Sequence, residues 1–473
     1  MSAFESDRPR RRVPIIGLLF FIVVIGLAAG VYYLGPRLER SAPQINLPDS
    51  DVLGLSPVEV VISDPGAGLK SVSATLSAGG AAHTLVSEDY AKPVGEKKFT
   101  VALTSKLAGL KEGPAVLRIS ARDASLWGFF AGNETVIEKK LTIDITPPTL
   151  ELIADDRYIN FGGAGAIVYK PAADTVTSGV KVGDHFFPGF KGQIAGQPDY
   201  FLALFAHPYN VPAETRAVLV ATDKAGNSRQ MTLVYELKNV KYRKSTIPVP
   251  ESFLQNKVAP LVQDVAARQG GPKDVFVAVN RKLRAANEAR ITEITRKATP
   301  TMLWKGAFSQ LSNSKVEANF ADHRTYLYGN EAIDTAYHLG YDLSVTKHYP
   351  VEAANSGTAV FVDDLGIYGN TVILDHGLGL FTLYSHLSST DVKVGDAVKD
   401  RQIIGRTGET GLAAGDHLHY GVYLHGVAVL PVEWWDSKWI NDNITPKLAG
   451  KSSEAVVEEQ RAARPRKAAG RRR

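Results

Sequence analysis

Cysteine is absent from all 473 residues of the chain. This absence excludes disulfide bonds, thiolate metal sites and cysteine nucleophiles, so any folded part must hold together by packing alone. A strong charge of one sign is missing too, since the net charge is +5 and is concentrated at the two ends. We therefore expect no nucleic-acid partner, because a nucleic-acid-binding domain usually carries a large basic patch.

The chain does contain enough apolar sequence for sizeable cores, with 44% hydrophobic residues. At roughly 100–200 residues per domain, its length predicts about three domains. The patterns along the chain predict a mostly β multidomain protein. In this prediction an N-terminal transmembrane helix precedes two β-sandwich-like modules, a short helical segment and a C-terminal β-rich domain.

The N-terminus has a basic stretch followed by a long apolar one. Residues 1–12 include four arginines, and Val13 to Gly35 has no charged residue. A run of about 20 apolar residues can cross a membrane, and arginines before it keep the N-terminus in the cytoplasm. We predict a cytoplasmic tail at 1–12 and a transmembrane anchor at 13–35. The alternative is a cleaved signal peptide. Both place the rest of the chain outside the cytoplasm.

Short alternating runs between turn residues indicate β structure from 36 to about 242. The stretch "TPPTLEL" divides this region, since two prolines cannot lie inside a central strand. We predict one module at 36–145 and another at 146–242. Both contain a strand, an Ala-x-Asp turn, a Gly-Asn turn and a second strand, a pattern that resembles bacterial immunoglobulin-like modules.

The sequence pattern changes from strand-like to helix-like after the second module. Apolar residues at helical spacing predict helices within 243–300, with Asp274 near the start of the second one. This segment contains no set of residues typical of a catalytic or metal site. We interpret it as a spacer or cover beside the next domain. We predict a β-rich domain at 301–440. The basic, low-complexity tail at 441–473 is predicted to be disordered.

Eight of the eleven histidines fall between His323 and His425. Among them, "HLGYD" places His338 four residues before Asp342, "LYSHLS" holds His386, and "GDHLHYGV" holds His417 and His419. If the last stretch is a strand, its two imidazoles share one face. Imidazole and carboxylate are normal zinc donors, and zinc hydrolases keep three protein ligands and one open position. Two further histidines would remain to move protons.

These motifs, in this order and within a glycine-rich framework, resemble the LytM/lysostaphin-type zinc metallopeptidases, which cut peptide cross-links in bacterial cell walls. The family pattern H-x(3)-D, then H, then H-x-H is matched by "HLGYD", "SHL" and "HLHYGV". The resemblance implies one zinc ion per chain, bound by His338, Asp342 and His419. It implies that His386 and His417 form the catalytic pair, without deciding which of them is the base.

Two residues upstream of these motifs are candidates for the substrate groove. Arg324 in "DHRTY" matches an arginine often found near the groove of this family, and His323 precedes it.

The resemblance implies a membrane-anchored zinc metalloendopeptidase that hydrolyses peptidoglycan cross-links through a zinc-activated water. The expected location is the bacterial inner (cytoplasmic) membrane, with a single pass and the bulk of the chain in the periplasm. The expected partners are peptidoglycan, the inner membrane and possible cell-wall or divisome proteins. The alternative is a non-catalytic or weakly catalytic regulator that activates another cell-wall hydrolase. A scaffold protein dominated by its β modules is a further alternative.

Overall fold

The computed structural model describes residues 15–34, 38–101, 110–262 and 270–451. These residues form two compact units. The first contains the described residues up to Pro147 together with Asp223–Asn227. The second contains the remaining residues from Pro148 onwards. The predicted cytoplasmic tail at 1–12 lies outside the described residues.

The first helix, α1 (Ile15–Leu34), coincides with most of the apolar run. In the part of the chain that the structure describes, no helix meets the length and apolarity needed to cross a membrane. The structure thus does not show the transmembrane helix that the sequence predicted.

Besides α1, the described residues of the first unit form eight strands and one short helix, α2 (Trp127–Phe130). The strands are β1 (Gln44–Asn46), β2 (Val52–Leu53), β3 (Val58–Ser63), β4 (Leu69–Ala78), β5 (Ala81–Val94), β6 (Glu96–Val101), β7 (Gly113–Asp123) and β8 (Glu134–Ile143). One sheet has the order β1-β3-β6, and the other has the order β2-β8-β7-β4-β5.

Residues of both sheets share one hydrophobic core. Val60 and Ile62 of β3 pack with Val72 and Leu76 of β4 and Ile119 of β7, and all five are fully buried. Burial alternates along β4 and β7, as expected for strands with one face on the core and one on solvent. The predicted mostly β architecture is confirmed here in the form of two packed sheets.

The second unit begins with ten strands. They are β9 (Leu150–Ala154), β10 (Tyr158–Asn160), β11 (Ala164–Pro171), β12 (Thr175–Val182), β13 (His185–Pro188), β14 (Phe190–Lys191), β15 (Phe201–Ala206), β16 (Ala217–Asp223), β17 (Ser228–Thr232) and β18 (Glu236–Lys238). They form sheets of order β14-β15-β11-β9 and β13-β12-β16-β17, and β10 pairs with β18 in parallel.

The predicted helical segment begins later than the sequence suggested. Residues 244–248 form strand β19 (Lys244–Pro248), because this stretch extends into a proline and pairs in parallel with β21 (Asp322–Tyr328). The helices that follow are α3 (Glu251–Phe253), α4 (Pro272–Val277) and α5 (Arg284–Thr295), with π-helical turns at Leu254–Val258 and Ala278–Leu283 and a 3₁₀ turn at Ala259–Leu261.

The second of these helices starts where the sequence predicted. The backbone N–H of Gly271 donates to the Asp274 carboxylate at 3.1 Å, and Pro272 occupies the first helical position. Both features are typical of helix N-termini.

The rest of the second unit is again β-rich. Besides β21, its strands are β20 (Lys315–Ala318), β22 (Glu331–His338), β23 (Tyr341–Ser344), β24 (Pro350–Glu352), β25 (Gly357–Asp364), β26 (Asn370–Asp375), β27 (Leu380–Ser385), β28 (Ser389–Thr390), β29 (Ala397–Val398), β30 (Ile403–Arg406), β31 (Leu418–Leu424) and β32 (Val427–Val429). A 3₁₀ turn spans Gly366–Tyr368. The main sheet runs β20-β23-β31-β27-β26-β25-β29, with β32 added to β31.

Three helices close the described part of the chain: α6 (Pro431–Trp435), α7 (Ser437–Asn443) and α8 (Thr445–Leu448). The predicted disordered tail was therefore wrong for residues 441–451. Ile444 is buried in the core, and the buried Lys447 pairs with Asp156 near the start of the unit. These contacts order the segment despite its polar sequence. Residues 452–473 lie outside the described residues.

Candidate metal centre

Two paired strands of the main sheet, β23 and β31, and the end of β22 from a neighbouring sheet bring the predicted metal ligands together. Asp342 of β23 lies directly opposite His419 of β31, in an antiparallel pair. His338 is the last residue of β22, and only a two-residue connection separates it from β23. The chain thus reverses direction between His338 and Asp342. The third ligand, His419, lies on a strand much later in the sequence.

The donor atoms of these three residues converge. The distance from His338 Nε2 to Asp342 Oδ1 is 2.9 Å, and the same nitrogen lies 2.9 Å from His419 Nδ1. His419 Nδ1 lies 3.0 Å from Asp342 Oδ1. All three side chains are at least four-fifths buried. Three donors this close, aimed at one point, form a site for a single ion.

The second ring nitrogen of His338 fixes its orientation. His338 Nδ1 donates to the Asn319 carbonyl oxygen at 2.9 Å, which leaves the Nε2 lone pair directed toward the site. Gly340 makes room for this arrangement. A Cβ at position 340 would lie 2.8 Å from the His419 ring, so any larger residue there would displace a ligand.

Arg324 holds the other side of the carboxylate. Its Nη2 donates to Asp342 Oδ2 at 2.9 Å, while Asp342 Oδ1 faces the two imidazoles. Burial alone would raise the pKa of Asp342, but His338, His417 and His419 hold it well below its usual value. The carboxylate is therefore ionised and oriented, with one oxygen free for a cation.

His386 and His417 lie beside this set, with their rings 4.8 Å apart. His386 Nδ1 donates to the Thr410 carbonyl at 2.8 Å, and His417 Nδ1 donates to the Gly415 carbonyl at 2.8 Å. Each histidine therefore has its Nε2 atom available. His417 Nε2 lies 3.6 Å from Asp342 Oδ1, so His417 and His419 do face the same side.

The backbone at His386 is unusual for a residue that is not glycine. Its φ angle is +62°, and its N–H donates to the Tyr368 carbonyl oxygen at 2.9 Å. This left-handed conformation turns the chain sharply at the end of β27 and directs the imidazole to the site. Burial, together with the neighbouring His417 and His419, lowers the pKa of His386 well below its usual value, which keeps the ring neutral.

These residues form the floor of a cavity of about 650 Å³. One of its walls comes from the helical segment, through residues that include Phe253, Lys257 and Arg284. Among the described residues that line the cavity, Asp342 is the only carboxylate. The cavity therefore presents cationic and neutral side chains to whatever enters it.

The two groove candidates differ in their placement. Arg324 lines the cavity, whereas His323 is not among the described lining residues, and its ring packs 4.9 Å from that of Tyr337. Adjacent residues of a strand point to opposite faces, which accounts for this difference, and a place of His323 in the substrate groove stays a prediction.

Sequence reasoning missed several groups that complete the site. The carbonyls of Asn319, Thr410 and Gly415 orient three histidines, and a backbone oxygen leaves no signature in the residue type. Tyr368 was missed as well, although its ring lies 5.5 Å from that of His419. In the sequence, only the glycine that follows Tyr368 pointed to a special backbone conformation at this position.

The donor set fits zinc. Two imidazole nitrogens and one carboxylate oxygen are typical ligands of a zinc site that keeps an open position. Asn319 and Arg324 hold His338 and Asp342 in place, as the outer neighbours of zinc ligands usually do, and such contacts raise the affinity for the metal. His338, Asp342 and His419 would hold the ion, and the cavity gives it access to a substrate.

Comparison with known proteins agrees with this geometry. Residues 336–431 match peptidase family M23. Over 95 residues the chain is 39% identical to the DD-carboxypeptidase/endopeptidase Mpg of Neisseria meningitidis, which covers 20% of this chain and 22% of that protein. Over 115 residues it is 33% identical to the peptidoglycan DD-endopeptidase ShyA of Vibrio cholerae, covering 24% and 26% respectively.

Among solved structures, the chain is similar to the catalytic domain of lysostaphin from Staphylococcus simulans. The identity is 31%, the coverage is 28% of this chain and 98% of that one, and the TM-score is 0.24. The chain spans only about a quarter of the length of the two curated relatives. The matched family and the motifs agree on the same region, and residues 336–431 of this chain belong to peptidase family M23 as a LytM-type domain.

Proposed function

We propose that this protein is a zinc metalloendopeptidase that hydrolyses peptide cross-links of bacterial peptidoglycan. The observation that carries the proposal is the convergence of His338, Asp342 and His419, with two further imidazoles beside them, on the floor of an open cavity. The relatives named as peptidoglycan DD-endopeptidases support the substrate class.

The metal ligands and the two further histidines would have separate roles in peptide hydrolysis. When bound, zinc supplies Lewis acidity that polarises a carbonyl and acidifies a water. His386 and His417 present their Nε2 atoms to the same space, so one can accept a proton from water. The other, once its Nε2 is also protonated, can donate a hydrogen bond to the oxygen on which negative charge develops. The carbonyls of Thr410 and Gly415 keep both rings in the orientation that this requires.

The charge of the cavity favours an anionic peptide. Arg284 and Arg324 line it, and Asp342, the only carboxylate among its described lining residues, is itself held by Arg324 and the two imidazoles. Complementary charge guides a ligand into a cleft and fixes its direction there. We infer that carboxylates of the peptide strands lie against these cations.

We further infer that the helical segment acts as a cover rather than as a simple spacer. Lys257 Nζ donates to the Glu409 carbonyl oxygen at 2.7 Å, and this residue precedes Thr410, which orients His386. The segment is therefore attached to the loop that supports the catalytic pair. A cover held in this way narrows the entrance until a partner or a substrate displaces it.

The decisive experiment is digestion of purified sacculi by the full chain, with and without chelator, followed by mass spectrometry of the released muropeptides. We expect cross-linked dimers to be converted to monomers only when zinc is present, and the products identify the cleaved bond. Zinc binding without any cleavage would contradict the proposal and favour the regulator that activates another hydrolase.

The location of the protein stays a prediction from the N-terminal sequence. We propose a single-pass anchor at residues 13–35 in the bacterial inner membrane, with the chain that follows it in the periplasm. Fractionation of cells, combined with protease treatment of spheroplasts, measures this directly. Recovery of the chain in the soluble cytoplasmic fraction would overturn it.

A further inference from the structure

Three carboxylates meet at one end of the first unit, far along the chain from the peptidase motifs. One oxygen each of Glu39, Asp64 and Asp123 lies within 4.8 Å of the others. Asp64 follows β3 of the three-stranded sheet, and Asp123 ends β7 of the five-stranded sheet. Asp64 is 3% exposed and Asp123 is fully buried. The cluster thus joins two buried carboxylates, at the ends of strands from the two sheets, to the half-buried Glu39.

One oxygen of this cluster has no partner. Asp64 Oδ1 accepts hydrogen bonds from the N–H groups of Gly66 and Gly68, at 2.9 and 3.2 Å. Asp64 Oδ2 is buried and has no hydrogen-bond partner among the described residues. A buried carboxylate oxygen without a partner carries a large desolvation cost. Such an atom indicates that a further group belongs at this point.

The surroundings do not supply the missing positive charge. Burial raises the pKa of Asp64, and the charges of Glu39 and Asp123 raise it further. Arg118 and Arg122, which lie on β7 with Asp123, pair with Glu138 and Glu134 instead, and the guanidinium of Arg40, next to Glu39, packs over the Trp127 ring. The three carboxylates therefore repel one another unless a cation joins them.

We propose that Glu39, Asp64 and Asp123 bind a calcium ion that joins the two sheets of the first unit. The donor set contains oxygen only, which suits a hard cation and not zinc. Calcium accepts six to eight oxygens in flexible geometry, whereas magnesium demands a near-ideal octahedron. The remaining oxygens of the three carboxylates are fixed by backbone N–H groups and side chains, including Ala67 N–H on Glu39 and Asn133 on Asp123. The cluster is thus organised in advance of ion binding.

Terbium luminescence provides a local test on the full chain. Trp127 is the only one of the five tryptophans in the first unit, and it lies four residues after Asp123. With equimolar zinc present, we expect Tb³⁺ to give luminescence sensitised by Trp127 and displaced by Ca²⁺. Asp64→Asn keeps the shape of the side chain and removes its charge, so it should weaken Tb³⁺ and Ca²⁺ binding at least about tenfold. Trp127→Phe should abolish the signal.

A matched control uses Glu138, an exposed carboxylate of the same unit that pairs with Arg118. Glu138→Gln should leave both ion affinities unchanged. Thermal unfolding gives an independent reading: Ca²⁺ should raise the melting temperature of the wild type, and not that of Asp64→Asn. Wild type without a Ca²⁺-displaceable signal, or Asp64→Asn binding as tightly as wild type, would overturn the proposal. A signal displaced by Mg²⁺ as well as by Ca²⁺ would overturn its choice of ion.

Discussion

Asp342 and His419 lie opposite each other on β23 and β31, with His419 Nδ1 3.0 Å from Asp342 Oδ1. The two residues are 77 positions apart, and the strand pairing alone brings their side chains together. A slip of one residue in this register would turn one of the donors to the opposite face of the sheet. The precision of the metal centre therefore derives from the hydrogen bonds of the main sheet.

The first prediction concerns a ligand. Asp342→Ala removes the oxygen that faces both imidazoles, and we expect the zinc affinity to fall by on the order of 100-fold or more, with loss of cleavage. Zinc content after dialysis and competition with a chromophoric chelator measure the affinity. An Asp342→Ala protein with normal zinc content would show that this carboxylate is not a ligand.

The second prediction separates catalysis from metal binding. His417 directs Nε2 to the site but lies 3.6 Å from Asp342 Oδ1, outside the tight set of three. His417→Ala should therefore retain zinc and lose cleavage of sacculi by roughly 10²–10⁴-fold, as expected for a proton-transfer group. Zinc stoichiometry and muropeptide release are measured on the same preparation. Full activity of this variant would remove His417 from the catalytic pair.

The third prediction concerns Arg324, which orients Asp342 through Oδ2. Arg324→Gln should reduce the zinc affinity by about 10–100-fold, the usual effect of losing a group that orients a ligand. Arg281→Gln is the matched control, because Arg281 pairs with Asp334 and is two-thirds exposed. Equal zinc affinity in the two variants would mean that Arg324 acts on the substrate alone.

The fourth prediction concerns pH and the packing of the second unit. Glu433 of α6 accepts hydrogen bonds from Asn160 and from the N–H of Ala164. Burial raises its pKa from 4.5 to about 8. Because the folded chain holds this proton more tightly than the unfolded chain, the stabilisation is complete below pH 4.5 and is lost as the pH rises through 8.

Glu433→Gln mimics the protonated carboxyl and should remove this dependence. Between pH 5 and pH 8.5 we expect wild type to lose about 4 kcal/mol of unfolding free energy relative to the variant. Urea unfolding followed by tryptophan fluorescence reports it, since four of the five tryptophans lie in the second unit. Parallel pH profiles of the two proteins would show that Glu433 is ionised in the fold.

The fifth prediction tests the cover. Lys257→Ala breaks the bond to the Glu409 carbonyl, and we expect a several-fold higher rate on sacculi because the entrance opens more readily. Lys273→Ala is the control, since Lys273 belongs to the same segment and pairs with Glu331 away from the cavity. A lower rate for Lys257→Ala would show that this lysine binds substrate and does not restrain the groove.

Several features that the sequence missed depend on contacts between distant segments. Residues 244–248 are extended because they pair with β21, which begins at Asp322, far along the chain. Residues 441–451 are ordered because Lys447 reaches Asp156 and Ile444 enters the core. Neither contact can be predicted from the composition of the segment itself.

By itself the sequence determined which side chains are candidates for the metal centre. The motifs that hold His338, Asp342, His386, His417 and His419, within their glycine framework, indicated the family because residue type and order are local properties. The resemblance to that family then implied the candidate ligands and the candidate catalytic pair. Only the tertiary structure decided how the donor atoms converge, that Arg324 and not His323 lines the cavity, and that the helical segment forms one of its walls. Those outcomes depend on strand register and on packing between residues far apart in the chain, which no local pattern encodes.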